Sequence, residues 1–404
     1  MTQAALTWPD DAFLPPPALT RLIGAIIAKE VGANRRMDGH QLRPDRWTSE
    51  TQLLDTGLAL DSLERVNCAA ALNGFFHLSD YGAEDYLLAA QTLGEWACIV
   101  AISLSHGSQQ LTFETSGSTG APKACVHSFE SLTEEAQHWA ADFSDIRQIV
   151  ALVPPYHIYG FLWTVLLPAL ADVPVVDARF ASASALKEAL APPGTLVVGA
   201  PLHWQYIARS FLSLPRGVHG VTSAAPMSAQ LAQQLEAQGL ETLTHVYGSS
   251  ETGAIGVRCA ATGPYALLPY WAFDETQEDL RLTRGGESAA QPMDTLVPLC
   301  GDAFELRGRT DGAVQVGGEN VFPQRVAARI EEHADVAACS VRLCEDSQRL
   351  SAFVVPAAPG VCQATLETEL RALCADELRA AERPTRFSFG ADVPRTALGK
   401  VARW

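Results

Sequence analysis

The chain has 404 residues, which is enough for two or three domains of ordinary size. Hydrophobic residues make up 48% of it and charged residues 19%, a composition that excludes a mostly disordered chain. With 46 acidic and 29 basic residues the net charge is −17 at pH 7, which repels phosphate backbones and anionic membranes and excludes nucleic acid as a partner.

We expect neither an export signal nor a membrane span. Residues 1–17 carry Asp10, Asp11 and a proline run where a signal peptide has a basic segment followed by an apolar one. No apolar run approaches the length of about 18 residues that crosses a bilayer. The nine cysteines lack CxxC or zinc-type spacing and favour buried thiols in a reducing compartment. The sequence therefore predicts a cytoplasmic protein.

Residues 1–100 are predicted to form a helical bundle. Apolar residues at helical spacing predict a first helix over residues 18–31. A second helix is predicted to start at Asp61, because Asp61 and Glu64 have the spacing of a capping box. A third helix is predicted over residues 86–100.

The start of the second helix resembles the serine motif of acyl carrier proteins. Asp61-Ser62-Leu63 follows a long loop, and in carrier proteins the serine of this motif bears phosphopantetheine. Ser62 would then be a substrate of a phosphopantetheinyl transferase. The alternative is that the bundle only replaces a missing part of the following domain and that Ser62 is unmodified.

Residues 101–308 are predicted to form an α/β core. Short runs of β-forming residues alternate there with helical patterns, at 149–153, 173–176, 195–198 and 218–222. Such alternation is typical of a layered domain with a mainly parallel sheet.

Residues 309–404 are predicted to form a small α+β domain. A hairpin-like segment at 308–318 precedes the other predicted elements, which are a helix at 323–333, strands at 338–343 and 350–355, and a helix at 364–380.

A loop rich in glycine and hydroxyl side chains follows a short apolar run near residue 113. It contains Thr115, Ser116, Gly117, Ser118, Thr119, Gly120 and Lys123. Glycines let backbone N–H groups turn toward an anion, hydroxyls add donors, and a lysine supplies charge for phosphate. A flexible linker has a similar composition, but Lys123 is one of only four lysines in the chain, which favours a phosphate site.

A second motif combines an aromatic ring, a hydroxyl and a carboxylate. It contains Tyr247, Gly248, Ser250 and Glu251. Tyrosine can stack on a base, serine can bond a phosphate oxygen, and glutamate can hold Mg²⁺ beside that phosphate. Alone, the motif is also compatible with a strand that ends in a capped turn.

Three further motifs complete a set in fixed order. They are Gly301-Asp302, the segment 308–323 with Arg309, Asp311, Gly317 and Gly318, and the segment 394–400 that ends in Lys400. The set resembles the adenylate-forming, AMP-binding superfamily of acyl- and aryl-CoA synthetases, from about residue 111 to the C-terminus. The Gly-Gly-Glu-Asn version is most similar to that of aryl-acid and fatty-acid ligases.

The resemblance implies a role for each motif. Residues 115–123, with Lys123, would hold the β- and γ-phosphates of ATP. The implied nucleotide contacts are Tyr247 on adenine, Ser250 on the α-phosphate, Glu251 on Mg²⁺ and Asp302 on the ribose, with Arg309 assisting. Asp311 would be the hinge of a mobile C-terminal domain, Gly317 and Gly318 would line a pantetheine tunnel, and Lys400 would stabilise the attacking carboxylate. His157, in the segment 154–160, would border the acid pocket, although a lone histidine can equally be a packed structural residue.

The resemblance implies an AMP-forming acid–thiol ligase that uses ATP and Mg²⁺. We expect it to adenylate an aromatic carboxylic acid, such as a hydroxybenzoate, and to transfer the acyl group to the phosphopantetheine thiol of a carrier protein, its own or a separate one. Compact ligases of the aryl-polyene and xanthomonadin pigment pathways are the subgroup that it resembles. Two alternatives remain: a fatty-acid or acyl-CoA ligase that uses free CoA, and a non-catalytic scaffold with a worn ligase fold.

The sequence departs from the family in two places. The family has well over a hundred residues of its own fold before the phosphate loop, whereas the carrier-like bundle occupies nearly all of that space here. Residues 223–226 read Ser-Ala-Ala-Pro where a Gly-Gly-Ala-Pro segment is usual, which predicts a tighter pocket floor.

Overall fold

The fold is known from a computed structural model. It describes residues 8–10, 12–37, 39–54, 57–107, 109–116, 122–274, 281–285, 287–288, 291–292, 294–309, 312–317, 319–344, 347–358 and 360–394.

Helices dominate the N-terminal region, with two short 3₁₀ turns at Pro44–Arg46 and Leu78–Asp80. The helices are α1 (Pro16–Arg35), α2 (Gly39–Leu42), α3 (Ser62–Phe76), α4 (Glu84–Leu87) and α5 (Leu93–His106). The capping box at the start of α3 is confirmed, since Asp61 and Glu64 exchange both expected hydrogen bonds. The helix predicted over 86–100 is wrong at its start, because Thr92 and Glu95 form a second capping box that begins α5 at Leu93.

The central region has alternating strands and helices. Its strands are β1 (Gln110–Ser116), β2 (Pro122–Ser128), β3 (Gln148–Ala151), β4 (Val175–Asp177), β5 (Thr195–Gly199), β6 (Val218–Thr222), β7 (Thr242–Ser249), β8 (Gly253–Arg258), β9 (Tyr265–Leu267), β10 (Trp271–Asp274), β11 (Arg281–Arg284), β12 (Glu287–Ser288), β13 (Asp294–Pro298) and β14 (Ala303–Arg309). Its helices are α6 (Phe129–Asp142), α7 (Ile158–Phe161), α8 (Leu167–Ala171), α9 (Ala183–Leu190), α10 (Pro201–Ser210) and α11 (Ala229–Ala237), and a π-helical turn at Leu162–Leu166 joins α7 to α8.

A nine-stranded sheet forms the centre of this region, with the strand order β13-β14-β9-β8-β7-β6-β5-β3-β4. The five strands from β7 to β4 in that order are parallel, and the other four continue the sheet in antiparallel fashion. The α/β class is therefore confirmed, and the sheet is mixed. β1 and β2 pair in a separate antiparallel hairpin, and β10, β11 and β12 form a small sheet of their own.

The N-terminal helices share one hydrophobic core with the central region. Leu22 of α1, Trp96 of α5, Phe113 of β1 and Phe161 of α7 are all buried in that core. The Arg21 side chain on α1 donates hydrogen bonds to the carbonyl and hydroxyl oxygens of Thr164 in the π-helical turn. The helices are thus packed into the central region, and the predicted boundary at residue 100 falls inside α5.

The C-terminal region has a core of its own and forms the small α+β domain that the sequence predicts. Its elements are β15 (Val314–Val316), β16 (Glu319–Val321), α12 (Pro323–Glu331), β17 (Val336–Cys344), β18 (Arg349–Pro356), α13 (Gln363–Glu377), a 3₁₀ turn at Ala380–Glu382 and β19 (Arg386–Phe389). β17 pairs with β18 in antiparallel fashion, and β18 pairs with β19 in parallel.

All nine cysteines lie among the described residues, and all are free thiols. The prediction that they are buried is wrong for Cys259, Cys300 and Cys362, which are exposed on loops. Among the described helices, none is long and apolar enough to span a bilayer.

Candidate active site

The β1–β2 hairpin holds the two ends of the predicted phosphate segment. Thr115 pairs with Lys123 and Ser116 pairs with Pro122 across the hairpin, so the segment closes on itself. Gly117, Ser118, Thr119 and Gly120, which the sequence also assigns to phosphate binding, lie outside the described residues.

Lys123 contacts the second predicted nucleotide motif directly. Its Nζ lies 3.0 Å from Oε1 of Glu251, and the two side chains are 52% and 22% exposed. The hydrogen bond to Glu251 raises the pKa of the Lys123 ammonium. Burial acts to raise the pKa of the Glu251 carboxyl, but the hydrogen bond from Lys123 and those from its own backbone and Ser249 outweigh it, so this pKa lies below its ordinary value. Both groups are therefore charged at neutral pH.

The turn between β7 and β8 presents Ser250 and Glu251. Thr252 is buried, and its hydroxyl accepts a hydrogen bond from the backbone N–H of Ser249 at 3.1 Å, which closes the turn. Gly248 has no room for a side chain, because a Cβ there would lie 2.1 Å from the Gly253 carbonyl oxygen. The tight backbone of this turn therefore fixes the position from which the Glu251 side chain extends.

His127 on β2 is a contact residue that the sequence reasoning missed. Its Nε2 donates to the Ser250 carbonyl oxygen at 2.7 Å. Burial lowers the pKa of His127, so the ring is neutral at pH 7. The sequence offers no signal for it, because the apolar Val126 is exposed on this strand and the polar His127 beside it is buried.

Tyr247 and Asp302 lie in one row across the sheet. The row runs from Tyr247 through Gly256 and Leu267 to the backbone carbonyl of Asp302. Three strand spacings of about 4.8 Å separate its ends. The Tyr247 ring is nearly buried, its hydroxyl donates to Asp294 at 3.1 Å, and the Asp302 side chain is exposed. This row is the part of the sheet to which the sequence assigns adenosine.

Arg309 ends β14, where its backbone pairs with that of Asp294 at the start of β13. The residue predicted to assist at the ribose thus pairs through its backbone with Asp294, whose carboxylate accepts from the Tyr247 hydroxyl. The predicted boundary at residue 308 falls inside β14.

Two buried side-chain atoms near Tyr247 have no hydrogen-bond partner among the described residues. They are Oγ1 of Thr222 on β6 and Nε2 of His245 on β7, two residues in register on neighbouring parallel strands. Burial lowers the pKa of His245 to about 4. Thr222 ends β6, at the edge of the sheet where ligands of α/β sheets enter.

His157 lies at the start of α7, in the segment assigned to the acid pocket. The side chain is exposed, yet the protein packed around the ring lowers its pKa to about 4, with a smaller effect of the nearby Lys29 ammonium. Lys29 comes from α1, where its Nζ is 3.0 Å from Glu114 and 5.7 Å from the centre of the Tyr156 ring. The N-terminal helices therefore border this segment.

The C-terminal motifs are described only in part. Gly317 in the β15–β16 hairpin has a positive φ of 62°, and β16 lies against β1. Asp311, Gly318 and Lys400 lie outside the described residues.

Ser62 is far along the chain from these motifs. It is the exposed first residue of α3, directly behind the Asp61 cap.

The Glu251 carboxylate suits Mg²⁺ in the way that nucleotide enzymes use it. Mg²⁺ is usually held by one or two carboxylates together with substrate phosphates, so a single carboxylate beside a phosphate segment is a sufficient protein contribution. Among the described residues, the cluster of three side chains that could share an ion is His333, Asp335 and Glu369, in the C-terminal domain.

Two family models match the chain. A family model described as AMP-binding enzyme matches residues 113–279, and one described as AMP-binding enzyme C-terminal domain matches residues 325–400. The chain is 36% identical to a 4-coumarate–CoA ligase of Halorhodospira halophila over 94% of the chain and 97% of that relative. It is 27% identical to the fatty acid–[acyl-carrier-protein] ligase ScoC of Streptomyces coeruleorubidus over 72% of the chain and 65% of that relative.

Among solved structures, the amide bond synthetase McbA from Marinactinospora thermotolerans matches with a TM-score of 0.60. The match covers 96% of this chain and 92% of that one at 17% identity. At this identity the likeness concerns the fold alone.

Proposed function

The chain belongs to the AMP-binding enzymes, and on that basis we propose that it joins an aryl carboxylic acid to CoA by way of an acyl-adenylate. The observation that carries the proposal is the 3.0 Å contact between Lys123 and Glu251, which brings the two nucleotide motifs together. A ligase fold that had lost its activity would not need a lysine–glutamate ion pair beside the phosphate segment.

The first step of the proposed reaction joins the acid to AMP. A carboxylate oxygen of the acid attacks the α-phosphorus of ATP, and pyrophosphate leaves. Negative charge gathers on the phosphates, so catalysis depends on positioning and on cations aimed at that charge. Lys123 holds the outgoing phosphates, Glu251 holds Mg²⁺, which supplies charge neutralisation when bound, and Lys400 steadies the attacking carboxylate.

The second step moves the acyl group to sulfur. A thiol attacks the acyl carbon, AMP leaves with the bonding electrons, and the thiol proton is lost to solvent. The face of the C-terminal domain that carries Gly317 serves this step, and rotation about Asp311 exchanges it for the face that carries Lys400. The contact of β16 with β1 fits a domain poised for thioester formation.

CoA is the preferred acceptor because relatives with that acceptor in their names align over nearly the whole chain. An alignment over 94% of the chain includes most of residues 1–100, so the N-terminal helices are part of the shared architecture. The N-terminal helices also share a hydrophobic core with the central region. A carrier domain must move between sites, so this shared core favours CoA over a fused carrier domain as the acceptor. The same relatives favour a hydroxycinnamate or a similar aryl acid, such as a hydroxybenzoate.

A carrier-protein acceptor is the second candidate. Ser62 is exposed at a capped helix start, as a phosphopantetheine site requires, and one relative is named as a ligase for acyl carrier protein. A fused acceptor would raise the local thiol concentration to roughly the millimolar range. The aryl-polyene and xanthomonadin type of pathway belongs to this candidate.

Acid-dependent exchange of pyrophosphate into ATP tests the first step. We expect exchange with 4-coumarate and hydroxybenzoates and little with fatty acids. Lys400→Ala should lower it by on the order of 10²-fold, yet keep thioester formation from supplied acyl-adenylate. No exchange with any acid, together with no stabilisation by MgATP, would instead support the non-catalytic scaffold.

Acceptor preference is tested with CoA and with a holo carrier protein side by side. The CoA proposal predicts that CoA alone supports thioester formation and that Ser62→Ala changes nothing. Incubation with a broad phosphopantetheinyl transferase and CoA should leave the mass of the protein unchanged. A pantetheine-sized mass increase that Ser62→Ala abolishes would favour the carrier-protein candidate instead.

A further inference from the structure

Glu135 is a buried carboxyl beside the candidate active site with no role in the reaction above. It lies on α6, with 1% of its surface exposed, on the inner face of the helix between buried Leu132 and Trp139. α6 follows β2 without a break, so one continuous segment carries Lys123, His127 and Glu135.

The Glu135 carboxylate binds the first residues of β8. Its Oε1 and Oε2 accept from the backbone N–H of Ala254 at 3.2 and 3.1 Å. The indole N–H of Trp139 donates to Oε1 at 3.4 Å, and the Tyr270 hydroxyl beside the carboxyl donates to the Ala254 carbonyl oxygen at 3.4 Å. A Cβ on Gly253 would come within 2.6 Å of Oε2, so the β8 backbone lies directly on this carboxylate.

The turn that bears Glu251 is therefore held at both ends by one segment. His127 binds the carbonyl oxygen of Ser250, before Glu251, and Glu135 binds the N–H of Ala254, after it. Because the same segment carries Lys123, both contacts help to fix the separation of Lys123 from Glu251.

If Glu135 served only to fill space in the core, a carboxyl group would be unfavourable there. Burial raises the pKa of Glu135 to about 7, which reports the cost of charge inside the core. An apolar side chain of similar volume would avoid that cost. Its replacement would, however, leave the Ala254 N–H buried without this acceptor, and the start of β8 would lose the contact that ties it to α6.

We propose that Glu135 is a positioning residue that fixes the Ser249–Ala254 turn and so sets the place of the Glu251 carboxylate for MgATP. The inference rests on the proposed function, because it assigns Glu251 to MgATP. Glu135 touches neither nucleotide nor acid; it acts through the Ala254 backbone.

Glu135→Asp is the central variant. It keeps a carboxyl group but withdraws it by one methylene, which breaks the contact with Ala254. Hydrogen exchange measured by mass spectrometry on the ligand-free enzyme should then show faster exchange in the peptide that contains Ala254. The Kd for MgATP, measured by calorimetry, should rise on the order of tenfold, the scale of one buried hydrogen bond.

Glu135→Gln is the matched rescue. Its amide oxygen can still accept from Ala254 and its NH₂ can donate to Tyr270, so exchange and the MgATP Kd should stay near wild type. Glu130→Gln, an exposed position on the same helix, serves as the control for removing a charge from α6. In steady-state exchange of pyrophosphate, Glu135→Asp should raise KM for MgATP and leave KM for the acid unchanged.

Two results would overturn the inference. The first is faster exchange at Ala254 in Glu135→Asp with an unchanged Kd for MgATP. The second is an equal loss of affinity for MgATP and for the acid that follows the drop in Tm, because this result indicates a structural role alone. If Glu135→Asp fails to fold, Gly253→Ala, which pushes on the same contact from β8, takes its place. A wild-type enzyme that binds MgATP but shows no acid-dependent exchange would reject the proposed function, and the Kd comparison would still decide the role of Glu135.

Discussion

The Lys123–Glu251 pair joins residues 128 positions apart in sequence and is accessible to solvent on the lysine side. An ion pair with this exposure contributes little to folding, typically below about 1 kcal/mol. We expect the pair to contribute to catalysis, since it places a cation and a carboxylate side by side where the proposed reaction needs charges for the phosphates and for Mg²⁺.

Glu251→Gln should separate these two contributions. We expect acid-dependent pyrophosphate exchange to fall on the order of 10²-fold, because an amide cannot replace the charge of a carboxylate. The free energy of unfolding in urea should change by less than about 1 kcal/mol. Glu236→Gln, an exposed glutamate on α11, is the control and should change neither quantity. A large loss of stability in Glu251→Gln would contradict this separation.

Glu135 should give the protein a pH-dependent stability. Its pKa is raised to about 7 in the folded protein, against 4.5 for a free glutamate, so between these values the folded state holds a proton that the unfolded state releases. The stabilising contribution is therefore complete below pH 4.5 and is lost as the pH rises to about 7.

Thermal unfolding of wild type and Glu135→Gln at several pH values measures this effect. Wild type should lose stability relative to the variant, on the order of 2 kcal/mol, between pH 5 and pH 8. Comparison at each pH cancels the titration of the buried histidines, which both proteins share, and leaves the titration of Glu135 with the effects of Arg284 and Tyr270 on it. A constant difference across that range would show that Glu135 does not titrate there.

At the level of elements, the start of α3 is fixed by side chains from two helices. The Asp61 carboxylate accepts from the Glu64 N–H at 2.8 Å, and Glu64 accepts from the Asp61 N–H at 3.1 Å. Arg35 of α1 binds both oxygens of Glu64 at 2.6 Å. The exposed position of Ser62 is therefore a rigid one.

Asp61→Ala should cost about 1 kcal/mol of unfolding free energy, because it removes the helix cap. Asp61→Asn should recover most of that loss, since asparagine caps helices about as well as aspartate. Urea denaturation of the three proteins gives the comparison. Equal stability of Asp61→Ala and wild type would mean that Arg35 and Glu64 hold the helix start without the cap.

For the whole molecule, one core extends from α1 to β14. This core includes Leu111 and Phe113 of β1 and Phe161 of α7, which are buried. Without the N-terminal helices, part of their surface would be exposed to solvent. The N-terminal region therefore takes part in the folding of the central region.

A fragment of residues 109–404 should accordingly fail to fold in its central region. We expect aggregation in size-exclusion chromatography, or the exposed apolar surface that binds a hydrophobic dye. A chain cut between domains with separate cores would behave otherwise, with both parts folding alone. A monomeric, cooperatively unfolding fragment would therefore favour an independent N-terminal carrier domain.

The sequence determined the elements whose signals are local. The capping box at Asp61, the β-runs that became β3, β5 and β6, and the small C-terminal domain all follow from short-range spacing and propensity. The order of the motifs likewise identified the family, because each motif is contiguous. The predicted start of the third helix was wrong because the apolar spacing continues before Leu93. The capping box at Thr92, which is also a local signal, was not recognised.

Contacts between distant segments were decided only by the tertiary structure. Nothing in the sequence near Glu135 points to Ala254, and nothing near His127 points to Ser250, since each pair meets only after β2, α6 and β7 have packed together. The burial of the N-terminal helices is of the same kind. An amphipathic face shows that a helix must be covered but not by what, because the hydrophobic effect has no direction and the covering surface is chosen by the packing of the whole chain.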